Sequence, residues 1–249
     1  MKFSFFSTAA LGGMLLLIAT GCEPKPKNPG TLSIELEHVW GSAEDPFALN
    51  TDLTHPMSME HLNFTMLKYY VSNVELTNED GTVWKAPESY YLVDLSQPLT
   101  TQLELTNVPA GHYTGMSFLL GVDSVRNVSG AQTGALDATN GMFWSWNSGY
   151  IFLKAEGTSP ESSNGNFSYH LGGFSGANNA TQKINLMFDA HAVVEEGAAP
   201  VAHLSVNPAK LWHMLPGVAA QNTIHMPGSS AVARMAAFAS GVQFEHLHN

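Results

Sequence analysis

Three residue types capable of metal chemistry are unusually frequent in this sequence: eleven histidines, eleven methionines and five tryptophans. Imidazole and thioether are donors that soft or borderline metals such as copper prefer. The most informative stretch runs from 119 to 157. Trp144 and Trp146 are two apart, so in a strand they project to the same face, and Phe143 and Tyr150 extend an aromatic cluster around them. An indole offers only an N–H donor and does not ligate metal. Oxidative opening of its five-membered ring changes that, because kynurenine carries an aryl amine and a ketone that can both bind. On its own, Trp-x-Trp is more often a core or interface pair.

The histidines divide by pattern. His38 continues the apolar stripe of Leu32, Ile34 and Leu36, so it should point inward; a lone inward histidine is usually a hydrogen-bonded core residue. His170 alternates with Asn166 and Ser168, opposite Phe167, Tyr169 and Leu171. That predicts exposure unless those polar residues line a pocket, and Gly172 and Gly173 would allow a close backbone approach there. His55-Pro56-Met57-Ser58-Met59-Glu60-His61 is a compact cluster in a loop that could hold Cu(I). His246 and His248 lie two apart near the C-terminus; they supply a further ligand if the tail packs on the site, or fray. His191 alternates with Lys183, Asn185 and Asp189 and reads as a surface residue, while His112, His203, His213 and His225 carry no spacing signal. Asp123 and Asp137 flank a polar loop that could take Ca²⁺, although turn hydrogen bonds are the commoner use of such residues. No nucleophile elbow, HExxH, CxxC or phosphate loop is present, and nothing in the sequence places a Ser-His-Asp site.

The elements that must position these residues read as strands. Period-two alternation runs from Leu32 to Trp40. Lys68 to Thr77 is β-branched and aromatic, and enters an Asn78-Glu79-Asp80-Gly81 turn before Thr82-Val83-Trp84. Further strands are expected at Tyr90 to Leu95, Gln102 to Leu105, Tyr113 to Val122, Tyr150 to Glu156, Phe167 to Leu171, Lys183 to Val194 and Ala202 to Val206. Ser230 to Ser240 is alanine-rich and suits one short helix. The expected fold is all-β: a β-sandwich-like single domain over 31–249, with long loops and little helix.

Met1-Lys2, an apolar run of about 10 residues to Ile18, and Ala19-Thr20-Gly21-Cys22 resemble a bacterial lipoprotein signal. The run is short for a bilayer span, which needs about 20 residues, and suits a signal peptide over 1–21. Cys22, the only cysteine, is then the lipidation site, and 22–30, with Pro24, Pro26 and Pro29, is an extended tether. The expected location is the bacterial cell envelope, as an outer-membrane lipoprotein facing periplasm or cell surface. A net charge of −11, from 10 Lys+Arg against 21 Asp+Glu, excludes a nucleic-acid partner, which needs basic patches.

Longer blocks resemble the MbnP family, copper-binding proteins found with methanobactin genes and more widely as bacterial lipoproteins. They are Lys68-Tyr69-Tyr70-Val71-Ser72-Asn73 with Glu75-Leu76, Tyr91-Leu92-Val93-Asp94, Pro109-Ala110-Gly111 with Tyr113, Gly121-Val122-Asp123-Ser124, Ser129 to Asp137, Gly141-Met142-Phe143-Trp144-Ser145-Trp146-Asn147-Ser148-Gly149-Tyr150, and His170-Leu171-Gly172-Gly173-Phe174. The resemblance implies a carrier of Cu(I) or Cu(II). A dihaem cytochrome c peroxidase-like maturation partner (MbnH-like) oxidises one tryptophan to kynurenine, which joins histidines at the metal. Carried onto this chain, the tryptophan is Trp144, with Trp146 as the other candidate, and the histidines are His38 and His170, with His246 as a possible addition. Where a related methanotroph copper protein has histidine two residues after its kynurenine, this chain has Trp146. The alternative reading is a metal-free recognition or structural module that uses the aromatic face of Trp144, Trp146 and Tyr150 to hold a glycan or protein.

Overall fold

A computed structural model describes Met1 and residues 28–130, 132–144 and 149–249, the side chains of 43 and 44 excepted. Cys22, most of the expected tether and Trp146 lie outside the described residues. Fifteen strands follow in order: β1 Gly30–Trp40, β2 Ser42–Pro46, β3 Asp52–Thr54, β4 His61–Asn78, β5 Val83–Lys85, β6 Tyr90–Asp94, β7 Gln102–Val108, β8 Gly111–Leu120, β9 Phe143–Trp144, β10 Gly149–Thr158, β11 Asn166–Gly172, β12 Gln182–Val194, β13 Val201–Val206, β14 Thr223–Ile224 and β15 Val242–His248. Two α-helices, α1 Ser124–Val128 and α2 Ser229–Ala239, complete the described elements with a few single 3₁₀ turns. The expectation of an all-β, sandwich-like fold with little helix holds.

One sheet has five strands in the order β15-β13-β1-β2, with β7 also on β1. β1 and β13 run parallel, Ser33 opposite Val201 and His38 opposite Val206. The other sheet has ten strands and the order β12-β8-β4-β10-β11-β14; β3, β5 and β6 pair with β4, and β9 with β10. The 18-residue β4 is its spine.

Alternation sets the inner faces, because successive side chains point to opposite sides of a sheet. From β1, Leu32, Ile34 and Leu36 are buried; from β13, Ala202, Leu204 and Val206. Trp40, Phe47, Phe64, Phe167 and Trp212 meet at ring distances of 5.0–5.9 Å. Such pairs are worth about 0.5–1.5 kcal/mol each beyond simple burial. Helix α2 closes the space between the sheets, setting Phe238 against Tyr69 at 5.3 Å. It also buries Arg234, whose guanidinium lies 4.5 Å above the Tyr169 ring and donates to the carbonyls of Leu211 and Pro216 at 2.9 and 2.8 Å.

The outer face of the ten-stranded sheet is covered at one end. The excursion between β8 and β10 folds over it, and Leu136, Met142 and Trp144 are buried there with Tyr70, Tyr150 and Phe152. Tyr70 and Tyr150 pin it by donating to the carbonyls of Ala135 and Leu136 at 3.0 and 2.7 Å. β4 is therefore covered on both sides in its middle, and its burial is continuous from Tyr69 to Ser72.

Candidate metal centre

His38 points inward, as its phase on β1 predicts, but into an occupied position. Its Nε2 is 3.0 Å from the Tyr69 hydroxyl, and the Leu36 backbone also bonds the ring. Burial pushes its pKa down to about 4, outweighing the opposing effect of the Leu36 bond. The ring is neutral and hydrogen-bonded inside the sandwich.

His170 lies on the other side of the ten-stranded sheet. Lys154 pairs with both His170 and Lys68, and Leu153 with both Leu171 and Tyr69. Directly opposed residues share a face and neighbours alternate. Tyr69, which touches His38, is therefore on the inner face, and His170 is on the outer one. The expected joint use of His38 and His170 at one metal fails on this register: a packed sheet separates them.

His170 has a different histidine beside it. The His225 ring, placed by β14 where Thr223 and Ile224 pair with Ser168 and Tyr169, stacks on His170 at 4.3 Å and 23°. Ser168 Oγ reaches His225 Nε2 at 2.7 Å and His170 Nε2 at 3.4 Å, and Glu156 Oε1 lies 2.6 Å from His170 Nε2. With Nε2 of each ring engaged, Nδ1 of each remains for a metal. A carboxylate on the far nitrogen of a ligating histidine is the usual way its tautomer is fixed. Burial pushes the His170 pKa below 6.5, opposed by Glu156 and reinforced by His225, so the ring is in the neutral form that ligates.

Trp144 is on this same face. The indole, 5% exposed, lies over Gly172: a Cβ there would meet its six-membered ring at 2.9 Å and the Tyr150 carbonyl oxygen at 2.5 Å. Gly172 follows His170 by two, so the backbone that the indole covers is one pleat, ~7 Å, along β11 from that histidine. The pairing of Gly149 with Trp144 across β9 and β10 holds the backbone in place. The structure thus brings Trp144 and His170 to one region and adds His225. No sequence signal marked His225, because the two-residue β14 that places it is too short to read.

The remaining candidates fall elsewhere. His55 is buried, with Nε2 on the Ala209 carbonyl at 3.0 Å and Nδ1 accepting from the Ser58 amide at 3.0 Å. Both nitrogens serve the fold, so the expected His/Met loop cluster loses its central ligand. Asp123 caps α1 through the Val125 and Arg126 amides and accepts from Tyr90 and Asn73, while Asp137 caps the Thr139 turn. These are the turn and cap roles that such residues more commonly take, and among the described residues the two carboxylates share no calcium site. His246 does not join Trp144: it is on β15, on the outer face of the five-stranded sheet, in a group with His203 and His248. His191 is exposed, as expected, but groups with Glu79 and His112.

An open all-β sandwich with two stacked imidazoles on the same sheet face as a buried indole defines a candidate metal-binding β-protein. The chain belongs to the MbnP family, whose model matches residues 29–229. Among solved structures it is similar to MbnP from Methylosinus trichosporium, with a TM-score of 0.55, 14% identity, and 81% of this chain and 86% of that chain covered. At that identity the likeness concerns the fold. No curated protein matches the chain. Membership ties the chain to copper-related, extracytoplasmic proteins. No helix among the described residues is long and apolar enough to cross a membrane.

Proposed function

We propose that this protein is a lipid-anchored copper-binding protein of the cell envelope, not an enzyme, whose site is Trp144, matured to kynurenine, with His170 and His225. The observation that carries this reading is the placement of the Trp144 ring over Gly172, one pleat from a His170 that stacks on His225. Two imidazoles and a softer aryl amine at the edge of an apolar pocket suit copper. His38, half-buried on the inner face and hydrogen-bonded to Tyr69, takes no part. Maturation is a four-electron oxidation in which two equivalents of hydrogen peroxide, used by a dihaem peroxidase-like partner in the envelope, convert tryptophan to kynurenine, the lost ring carbon leaving as formate with one water. The aromatic-face alternative loses support because Trp144 and Tyr150 are buried at 5% and 2% exposure. They leave little surface for a glycan.

The test uses full-length protein made together with its own envelope redox partner. A near-ultraviolet band and a mass change of one oxygen gained and one carbon lost should map to the Trp144 peptide and vanish in Trp144→Phe. Cu(I) titration under a competing chelator should show strong losses for His170→Ala and His225→Ala and none for His38→Ala. Equal affinity in all variants rejects the ligand set. Separately, Cys22→Ser should abolish acylation and detergent partitioning; a wild type that is unacylated and soluble without detergent rejects the anchor.

A further inference from the structure

We propose that His203, His246 and His248 form a second metal site, for a borderline divalent cation such as zinc, that is independent of tryptophan maturation. One ligand atom from each of the three lies within 4.8 Å of the others. The rings are already gathered: His203 stacks on His246 at 4.3 Å and 10°, and His248 stands 4.8 Å from both. Three nitrogens around a tetrahedral zinc, with bonds of ~2.1 Å, are about 3.4 Å apart. Closing from the present spacing takes only side-chain rotation by the exposed His246 and His248.

The strands bring the three rings together. His203 is opposed to Glu35 across the parallel β1–β13 pair and to His246 across the antiparallel β13–β15 pair. His248 is two residues beyond His246 on the same face. The C-terminal strand does not fray: the Asn249 side chain accepts from the Val193 amide at 2.8 Å and donates to the His191 carbonyl at 3.0 Å. The backbone carrying all three ligands is thus fixed in advance.

Second-layer groups are present as well. His203 Nδ1 is 3.2 Å from Glu37 Oε1 and 3.7 Å from Glu35 Oε2, and the ring is 12% exposed. A carboxylate holding Nδ1–H leaves Nε2 for the metal and raises its basicity. The two carboxylates also offset the cation's charge, and Glu35 or water completes a fourth position. Imidazole is the borderline donor that zinc and copper(II) share. Within the fold the ion clips β15 to β13. His246 and His248 lie beyond the segment matched to the family.

The experiment uses the full chain made without any maturation partner, so that the Trp144 centre remains unmodified. Co(II) is added and its visible ligand-field bands are followed, then Zn(II) displaces it; thermal melting is recorded with and without Zn(II). The expected result is one tight equivalent in wild type and in His170→Ala/His225→Ala. Binding should be lost in His246→Ala/His248→Ala and weakened about 10–100-fold in Glu37→Gln. Zn(II) should raise the melting temperature of wild type, since a ligand bound only by the folded state stabilises it. It should not do so in His248→Ala, an exposed single change that keeps the strand if the double variant fails to fold. Unchanged binding in His248→Ala overturns the proposal. Loss of binding in Glu79→Ala instead transfers the ion to the Glu79, His112 and His191 group and overturns it too.

Discussion

The two outer faces of the sandwich use histidine differently. On the ten-stranded sheet, His170 and His225 lie beside a buried indole, under the edge of the excursion that covers β4 and β10. On the proposed reading, that centre gains its third donor only by chemistry on Trp144. On the five-stranded sheet, three imidazoles converge in the open, with no covalent change needed. In each, a glutamate holds one nitrogen of the innermost ring: Glu156 on His170, Glu37 on His203. Burial and maturation should make the first centre selective for soft copper, whereas exposure and a complete imidazole set make the second permissive. On that reading, zinc bound by protein lacking the modification should report the second face and not the first.

The change that should separate the faces most is His170→Ala/His225→Ala. In matured protein, Cu(I) affinity should fall by more than about 1,000-fold, on the order of 4 kcal/mol, with the zinc equivalent retained; loss of both metals would mean that the faces are not independent. The next effect concerns the inward-facing His38. Its folded-state pKa of about 4 lies below the unfolded value of about 6.5, so between these values the unfolded chain binds the extra proton. Stability is full above pH 6.5 and should fall by about 3 kcal/mol as pH drops through that window. Burial also lowers His55 and His170, which adds to the slope in the same direction. His38→Gln should flatten the urea-midpoint profile between pH 6.5 and 4 without altering Cu(I) binding; an unchanged profile would place the acid sensitivity elsewhere.

Smaller effects sharpen the first face. Gly172→Ala sets a methyl group against the Trp144 ring and the Tyr150 carbonyl, and overpacking of this kind costs about 1–3 kcal/mol. Chemical denaturation should show that loss together with a shifted tryptophan emission; wild-type values would mean that the indole does not rest there. Glu156→Gln keeps the hydrogen-bonding shape but removes the charge behind His170, and should weaken Cu(I) about 10-fold. The smallest effect is expected from His61→Ala. Its ion pair with Glu161 is exposed, and such changes usually stay within about 0.5 kcal/mol.

The alternating segments were legible because each has one buried face: β1, β8, β11 and β13 fall where their periodicity places them, and α2 where alanine accumulates. β3 and β14 were not legible, since two or three residues cannot establish a period, and the Ser-Ala-Glu-Asp-Pro of β2 has no apolar alternation to read. β15 escaped for another reason: Glu245 at its bulge opposite His203 and Leu204 breaks the alternation. The inward phase of His38 and the polar phase of His170 were both readable. That they occupy opposite sides of one layer was not, because it depends on the register of β4, β10 and β11. His225 and His203 acquire meaning only from the strands they pair with, and those pairings join distant parts of the chain.

The parallel pairing of β1 with β13 also orders events in time. β1 is the first of these strands to emerge from a ribosome or an export channel, yet both long neighbours that cover its edges come later: β7 from Gln102 and β13 from Val201. Until they arrive, Leu32, Ile34 and Leu36 form an apolar stripe with no partner. Closing so long a loop before any contact rewards it slows folding. Exported in this direction, the chain needs an unfolded holding state almost to its C-terminus. A truncation before Val201 should therefore yield an aggregating species with an open β1 edge rather than a smaller sandwich.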